Sequence, residues 1–188
     1  MVNRAVFLDR DGVINRAADR REYYITSVEK FHFIDGIFEA VSLLNSYGYL
    51  VIVVTNQRGV PRGYLSMDTL NQIHKYMADE FSKNGAHITA VKTCVCDQTN
   101  PCECRKPKPG MLQGSSEEFF VDLGESWIIG DSESDIYAGK SAGCKTALLS
   151  DNDSINDSSS NWRSSPDIVA CNALSAVKQI LGILSFEE

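Results

Sequence analysis

The string Leu50-Val51-Ile52-Val53-Val54 constrains this chain more than any other: five consecutive apolar residues, four of them β-branched. Such side chains are stiff at χ1 and pack well on a pleated surface, and a strand apolar on both sides needs cover on both. Ala5-Val6-Phe7-Leu8, Trp127-Ile128-Ile129, Thr146-Ala147-Leu148-Leu149 and a weak Ile168-Val169-Ala170 repeat the theme. Between these runs the periodicity predicts helices over 35–47, 67–84, 109–122, 133–142 and 172–184. Ser66 and Asp68 mark a start for the second and Pro109 suits the first turn of the third. Gly48, Gly85, Gly124 and Gly143 fall where helices should stop. The alternation implies an α/β fold: a Rossmann-like, mostly parallel sheet with helices on both faces, and ligands outside the carboxyl ends of its strands.

A chain of 188 residues fits one domain, spanning 1–188. Its longest apolar run, 49–54, is far too short to cross a membrane. The net charge of −7 weighs against nucleic-acid and anionic-membrane partners, and the chain is expected to act as a monomer. The positive charge is nonetheless concentrated: 14 of the 18 Lys and Arg lie in residues 1–108. The groups Arg10, Arg16, Arg20 and Arg21, Arg58 and Arg62, and Arg105, Lys106 and Lys108 suit capture of a small anion such as phosphate. Met1-Val2-Asn3-Arg4 leads into the first strand without signal-peptide features, so a reducing, cytoplasmic location is expected. Cys144 and Cys171 read as small core hydrophobes, and residues 150–166 as a long surface loop. His32, His74 and His87 share no motif and read as surface or partly buried residues.

Polar residues gather where strands end. The first run is followed by Asp9-Arg10-Asp11-Gly12, the second by Thr55-Asn56-Gln57, and the third by Gly130-Asp131 with Asp135 one helical turn on. If these ends lie side by side, several carboxylates converge with a hydroxyl, an amide and the basic pair Arg105-Lys106. Clustered carboxylates repel one another, so a hard divalent cation, Mg²⁺, is the natural partner. Cys94-x-Cys96 and Cys102-x-Cys104 place four thiols on one short loop, 94–109, enough for a closed tetrahedral Zn²⁺ site of structural type. That zinc would fix the loop delivering Arg105 and Lys106.

Phe7-Leu8-Asp9-Arg10-Asp11-Gly12-Val13-Ile14-Asn15 resembles the first motif of the haloacid dehalogenase superfamily of phosphatases, and Thr55-Asn56-Gln57, Lys106 and Gly130-Asp131-x-x-x-Asp135 resemble its other three in order. The string from Thr55 through Arg58-Gly59-Val60-Pro61-Arg62-Gly63-Tyr64, with the cysteine pairs and Cys104-Arg105-Lys106-Pro107, looks like the branch holding heptose 1,7-bisphosphate and histidinol-phosphate phosphatases. The resemblance implies an uncapped phosphatase removing the C7 phosphate of D-glycero-D-manno-heptose 1,7-bisphosphate, in nucleotide-activated heptose synthesis for bacterial surface glycans. Asp9 would be the nucleophile, Asp11 the acid and base, and Thr55 and Lys106 the phosphoryl ligands. Asn56, Gln57, Arg58, Arg105, Arg20, Arg21 and Tyr24 would meet substrate. Mg²⁺ would be held by Asp9, the Asp11 carbonyl and Asp131, with Asp135 in support. The chain departs from the branch in carrying Cys96 where His is usual, Ser132 where Lys is common, and a longer segment 16–24. Arg16, Arg20 and Arg21 in that segment would grip the second phosphate of a bisphosphate. The alternatives are histidinol-phosphate hydrolysis and a zinc-loop interaction module with an inactive site.

Overall fold

The computed structural model describes residues 2–18, 22–97, 102–150 and 164–183. Among the described residues there are six strands: β1 (Arg4–Leu8), β2 (Tyr49–Asn56), β3 (Ala90–Cys94), β4 (Trp127–Gly130), β5 (Lys145–Leu149) and β6 (Ile168–Ala170). All pair in parallel in the order β3-β2-β1-β4-β5-β6. The helices are α1 (Ile37–Ser46), α2 (Met67–Lys83), α3 (Gly110–Phe119), α4 (Glu133–Ala142) and α5 (Ala173–Ile180). No helix among the described residues is long and apolar enough to cross a membrane.

Strand alternation sorts the buried side chains into two cores, one on each side of the sheet. Val6, Leu8, Val51 and Val53 face a core shared with α1, α2 and α5, including Val41, Leu44, Ile73, Phe81 and Val177. Ala5, Phe7, Ile52 and Val54 face the opposite core with Met111 and Leu112 of α3. α4 covers β4 closely: a Cβ on Gly139 would lie 2.3 Å from Ile128 Cγ2, so only glycine fits there. Between β1 and α1 the described chain makes turns and one short 3-10 segment, Val28–Lys30, with no cap-sized insertion.

Three expectations are corrected. β3 lies where no strand is predicted, because an edge strand carrying Lys92 lacks the continuous apolar run that marks the interior strands. α3 stops at Phe120 rather than at Gly124; Phe120 itself adopts the left-handed conformation, with φ 51°, and its amide returns to the Ser116 carbonyl. Cys171 is exposed, since it follows the outermost strand and precedes the α5 cap residue Asn172, whereas Cys144 is buried as expected. Most of the expected surface loop, 151–163, lies outside the described residues.

Candidate active site

The order β2-β1-β4 puts the three polar strand ends side by side. Asp9 follows β1, Thr55 and Asn56 close β2, and Asp131 follows β4. Gly12 has φ +98°, and a Cβ there would stand 1.9 Å from Asp131 Oδ2. Glycine is therefore required where the turn after β1 meets the carboxylate after β4.

Lys106 arrives from the loop before α3 and is almost fully buried. Its ammonium lies 2.6 Å from Asp9 Oδ1 and 2.6 Å from Asp135 Oδ1, and it donates to the Val54 carbonyl at 2.8 Å. The Asn56 side chain clasps the Lys106 backbone, accepting from its N–H at 3.1 Å and donating to its carbonyl at 3.0 Å. Asp135 is tied from behind as well, because its Oδ2 accepts from the Ser132 hydroxyl at 2.5 Å and from the Ser132 N–H at 3.2 Å, the latter being the capping-box bond of α4.

Asp9, Asp131 and Asp135 each offer an oxygen within 4.8 Å of the others. Three carboxylates against one ammonium leave an excess of negative charge. Loss of hydration, with the Asp135 charge beside it, pushes Asp9 up to about 7 despite Lys106. The same two causes push Asp131 up to about 6. The donors are hard oxygens and the surplus charge is negative, so the set fits a divalent cation such as Mg²⁺.

Asp11 stands in a different setting. Burial opposes its ionisation, but the Arg10 guanidinium outweighs that and holds the carboxyl below its ordinary value. Arg10 Nη2 lies 2.8 Å from both Asp11 oxygens and Nε 3.2 Å from Oδ1. Asn15 Nδ2 and Gln57 Nε2 each donate to Asp11 at 2.9 Å, and Gln57 also donates to Thr55 Oγ1 at 2.8 Å. Thr55, Gln57, Asn15 and Arg10 are all buried.

The four cysteines converge. Cys104 Sγ lies 3.0 Å from Cys94 and 3.3 Å from Cys102, Cys94 and Cys102 are 3.5 Å apart, and Cys96 and Cys104 3.8 Å. Zn–S bonds of about 2.3 Å place the corners of a tetrahedron about 3.8 Å apart, so these thiols are gathered closely enough to take zinc with a small outward shift, and are too far apart for disulfides. β3 contributes Cys94, whose carbonyl accepts from Gln57 N–H at 2.7 Å.

The remaining expected substrate residues lie around this frame. Arg105 donates to the Cys96 carbonyl at 3.2 Å. Asp97 of the same loop pairs with Arg58 at 3.5 Å and Arg62 at 3.4 Å, and Arg62 donates to the Tyr24 hydroxyl at 3.3 Å. Tyr24 packs against Tyr64 with ring centroids 4.9 Å apart and the planes tilted by 42°. Arg20 and Arg21 lie outside the described residues. Beside Asp131 a cavity of about 550 Å³ is lined by Gly12, Arg16, Ile34, Leu149 and Asn172 among others, room for an organic group next to the carboxylates. Asn15 and the Arg10–His74 pair are not predicted as site residues; nothing in an isolated arginine and a histidine 64 positions later announces that they touch.

Similarity to known proteins agrees with this geometry. Residues 103–176 match the HAD-hydrolase-like family model. The chain is 45% identical over 159 residues to the D-glycero-alpha-D-manno-heptose-1,7-bisphosphate 7-phosphatase of Burkholderia mallei, covering 79% of this chain and 80% of that one. It is 37% identical over 154 residues to the D-glycero-beta-D-manno-heptose-1,7-bisphosphate 7-phosphatase of Pasteurella multocida, covering 79% and 82%. Among solved structures, the D,D-heptose 1,7-bisphosphate phosphatase of B. bronchiseptica, complexed with magnesium and phosphate, superposes with a TM-score of 0.86 at 28% identity, covering 96% of this chain and 99% of that one. With its strand-end carboxylates, buried lysine and four-cysteine loop, the chain belongs to the HAD-like hydrolases and, within them, to the heptose 1,7-bisphosphate 7-phosphatase family.

Proposed function

We propose that this phosphate monoester hydrolase removes the C7 phosphate of D-glycero-D-manno-heptose 1,7-bisphosphate in the cytoplasm. The observation that carries the reading is the junction of two features: Lys106 bonded to Asp9 at the strand ends, and a four-cysteine loop ending immediately before Arg105 and Lys106. The names and overall similarity of the relatives supply the substrate.

Asp9 attacks phosphorus, the P–O bond to the sugar breaks, and the leaving oxygen takes a proton from Asp11. Water then attacks the aspartyl-phosphate, Asp11 takes its proton, and inorganic phosphate departs as Asp9 is regenerated. The resting Asp11, receiving Arg10, Asn15 and Gln57, is set as the base; the charge of the arriving phosphate favours its protonated form for the first step. Lys106, Thr55 and the Asn56 backbone meet the equatorial oxygens, where transition-state charge is spread. Asp9, Asp131 and the Asp11 carbonyl would hold Mg²⁺, with Asp135 in support; when bound it supplies neutralising charge for the phosphoryl group. Cys94, Cys96, Cys102 and Cys104 would hold zinc as a structural brace.

Gln57, Arg58, Arg105 and Tyr24 border the substrate, and Arg20 and Arg21 serve the second phosphate. Replacing both Arg20 and Arg21 with Ala is expected to raise KM for the heptose bisphosphate while leaving a small phosphate ester unchanged. The deciding assay compares purified enzyme on the α and β heptose 1,7-bisphosphates and on histidinol phosphate. Faster turnover of histidinol phosphate would replace this reading; no turnover of any ester would reduce the chain to a zinc-loop module.

A further inference from the structure

Arg10 is fully buried, yet it belongs to the loop carrying both catalytic aspartates. A buried guanidinium must have its donors satisfied and its charge balanced. Nε and Nη2 go to Asp11. The Phe31 ring lies beneath its carbon, 5.9 Å from centroid to Cζ. Nη1 lies 3.3 Å from Nε2 of His74, a residue of α2.

That contact fixes the state of His74. Arginine only donates, so Nε2 must offer its lone pair and the imidazole must be neutral with its proton on Nδ1. Burial, and then the Arg10 charge, push the imidazole down to about 4, in keeping with an obligate acceptor.

We infer that His74 is a positioning residue for the acid and base step. By holding Nη1 it sets the angle of the guanidinium, and the guanidinium sets the direction of the Asp11 carboxyl toward the leaving oxygen. This rests on the proposed role of Asp11 but on no particular substrate. α2 also contributes core packing, through Leu70, Ile73, Met77 and Phe81 on the buried side of the helix. His74 follows Ile73 directly and is the point where that helix reaches the catalytic loop.

The test uses leaving groups. Phosphoryl transfer from p-nitrophenyl phosphate expels a phenolate that needs no proton, whereas an alkyl phosphate such as glycerol 3-phosphate expels an alkoxide that does. Both are measured as kcat/KM, which reports steps up to the first irreversible one, with the full chain as His74→Leu, His74→Gln and, as reference, Asp11→Asn. His74→Leu is expected to lower kcat/KM on the alkyl ester by roughly ten- to a hundredfold, and on p-nitrophenyl phosphate by less than about threefold. His74→Gln, whose amide oxygen can accept from Arg10, should recover most of the loss. Equal losses on both esters, or no recovery with Gln, would overturn the assignment in favour of a packing role. Should Asp11→Asn itself show no leaving-group dependence, the acid role of Asp11 fails first, and the inference with it. The heptose reading stands or falls separately, on the heptose bisphosphate assay.

Discussion

Asp9 and Asp11 are two residues apart and electrostatically opposite. Burial and Asp135 push Asp9 up to about 7, while Arg10 outweighs burial and keeps Asp11 ionised. As the proposed nucleophile Asp9 must be charged to attack, so the excess negative charge around it would have to be offset when substrate binds, a task for Lys106 and the proposed cation. Asp9→Asn preserves the shape and the Lys106 contact but removes the attacking charge. Turnover should fall by at least about 10³-fold with folding unchanged by circular dichroism, and retention of a tenth of the activity would rule out the covalent route. His74 gives a second prediction. Its folded pKa, about 4, lies below the roughly 6.5 of an unfolded histidine, so the unfolded chain binds its proton first as pH falls. The neutral histidine therefore contributes full stability above about pH 6.5, and the contribution fades as pH falls toward 4. Wild type should lose up to about 3 kcal/mol more than His74→Gln between pH 7 and pH 4, measured by urea unfolding. Parallel curves would place His74 in an environment that leaves its titration unchanged. The carboxylates, Thr55, Lys106 and the cysteines are legible from residue type and strand-end spacing. The Arg10–His74 contact is not, because it depends on how deeply one loop residue sinks beside a helix 64 positions away.

Helices and strands are legible to the extent that their own residues bear the signal. β2 announces itself because its side chains are buried on both faces; β3 does not, because an edge strand that mixes Lys92 and Thr93 with small residues looks like a connector. Ser66 caps α2 as its position implies, accepting from Thr69 N–H at 3.0 Å, and Gly143 ends α4 in the left-handed conformation. Phe120 adopts that same conformation without being glycine and with its ring exposed; its carbonyl accepts from Asn3 N–H at 2.8 Å, so the end of α3 is set by that long-range backbone bond rather than by local preference. α4 illustrates how an element's seat controls the site. It begins with the capping box that holds Asp135 and lies on β4 through Gly139. In an exposed helix Gly→Ala gains about 1 kcal/mol. Here the new methyl would lie 2.3 Å from Ile128 Cγ2 and 2.8 Å from Thr146 Cγ2, and overpacking of that kind costs about 1–3 kcal/mol. Gly139→Ala should therefore lower the unfolding midpoint, and by lifting α4 it should also loosen Asp135 from Lys106 and reduce kcat. A variant melting above wild type would show that the helix can slide without cost.

Across the whole molecule, the site exists only because distant stretches meet: Asp9 and Lys106 are 97 residues apart and 2.6 Å from one another. The parallel sheet supplies the carboxylates from below, and β2 grips Lys106 through the Val54 carbonyl and the Asn56 side chain, but Lys106 has first to be delivered there. That falls to the loop between β3 and α3, and the loop is gathered by its four cysteines rather than by a core of its own. Three links carry its position into the site: the Asn56 clasp on Lys106, the Arg105 bond to the Cys96 carbonyl, and the Asp97 pairs with Arg58 and Arg62. Cys102→Ser removes one of the four proposed zinc ligands at a residue that packs only against the rim of the second core. The variant should purify with substantially less than the roughly one zinc per chain expected of wild type. Its melting temperature should fall by about 4–8 °C, corresponding to a loss of about 2 kcal/mol in a chain of this size. Turnover should fall at least tenfold because Lys106 no longer meets Asp9, yet far-ultraviolet circular dichroism should stay near wild type because the strands and helices are held mainly by the two cores on the faces of the sheet. Cys171→Ser, at an exposed cysteine remote in sequence from the cluster, should leave the zinc content and the melting temperature unchanged. If Cys102→Ser kept full zinc and full activity, the cysteines would be bystanders and Lys106 would owe its position to the Asn56 clasp and the two carboxylates alone.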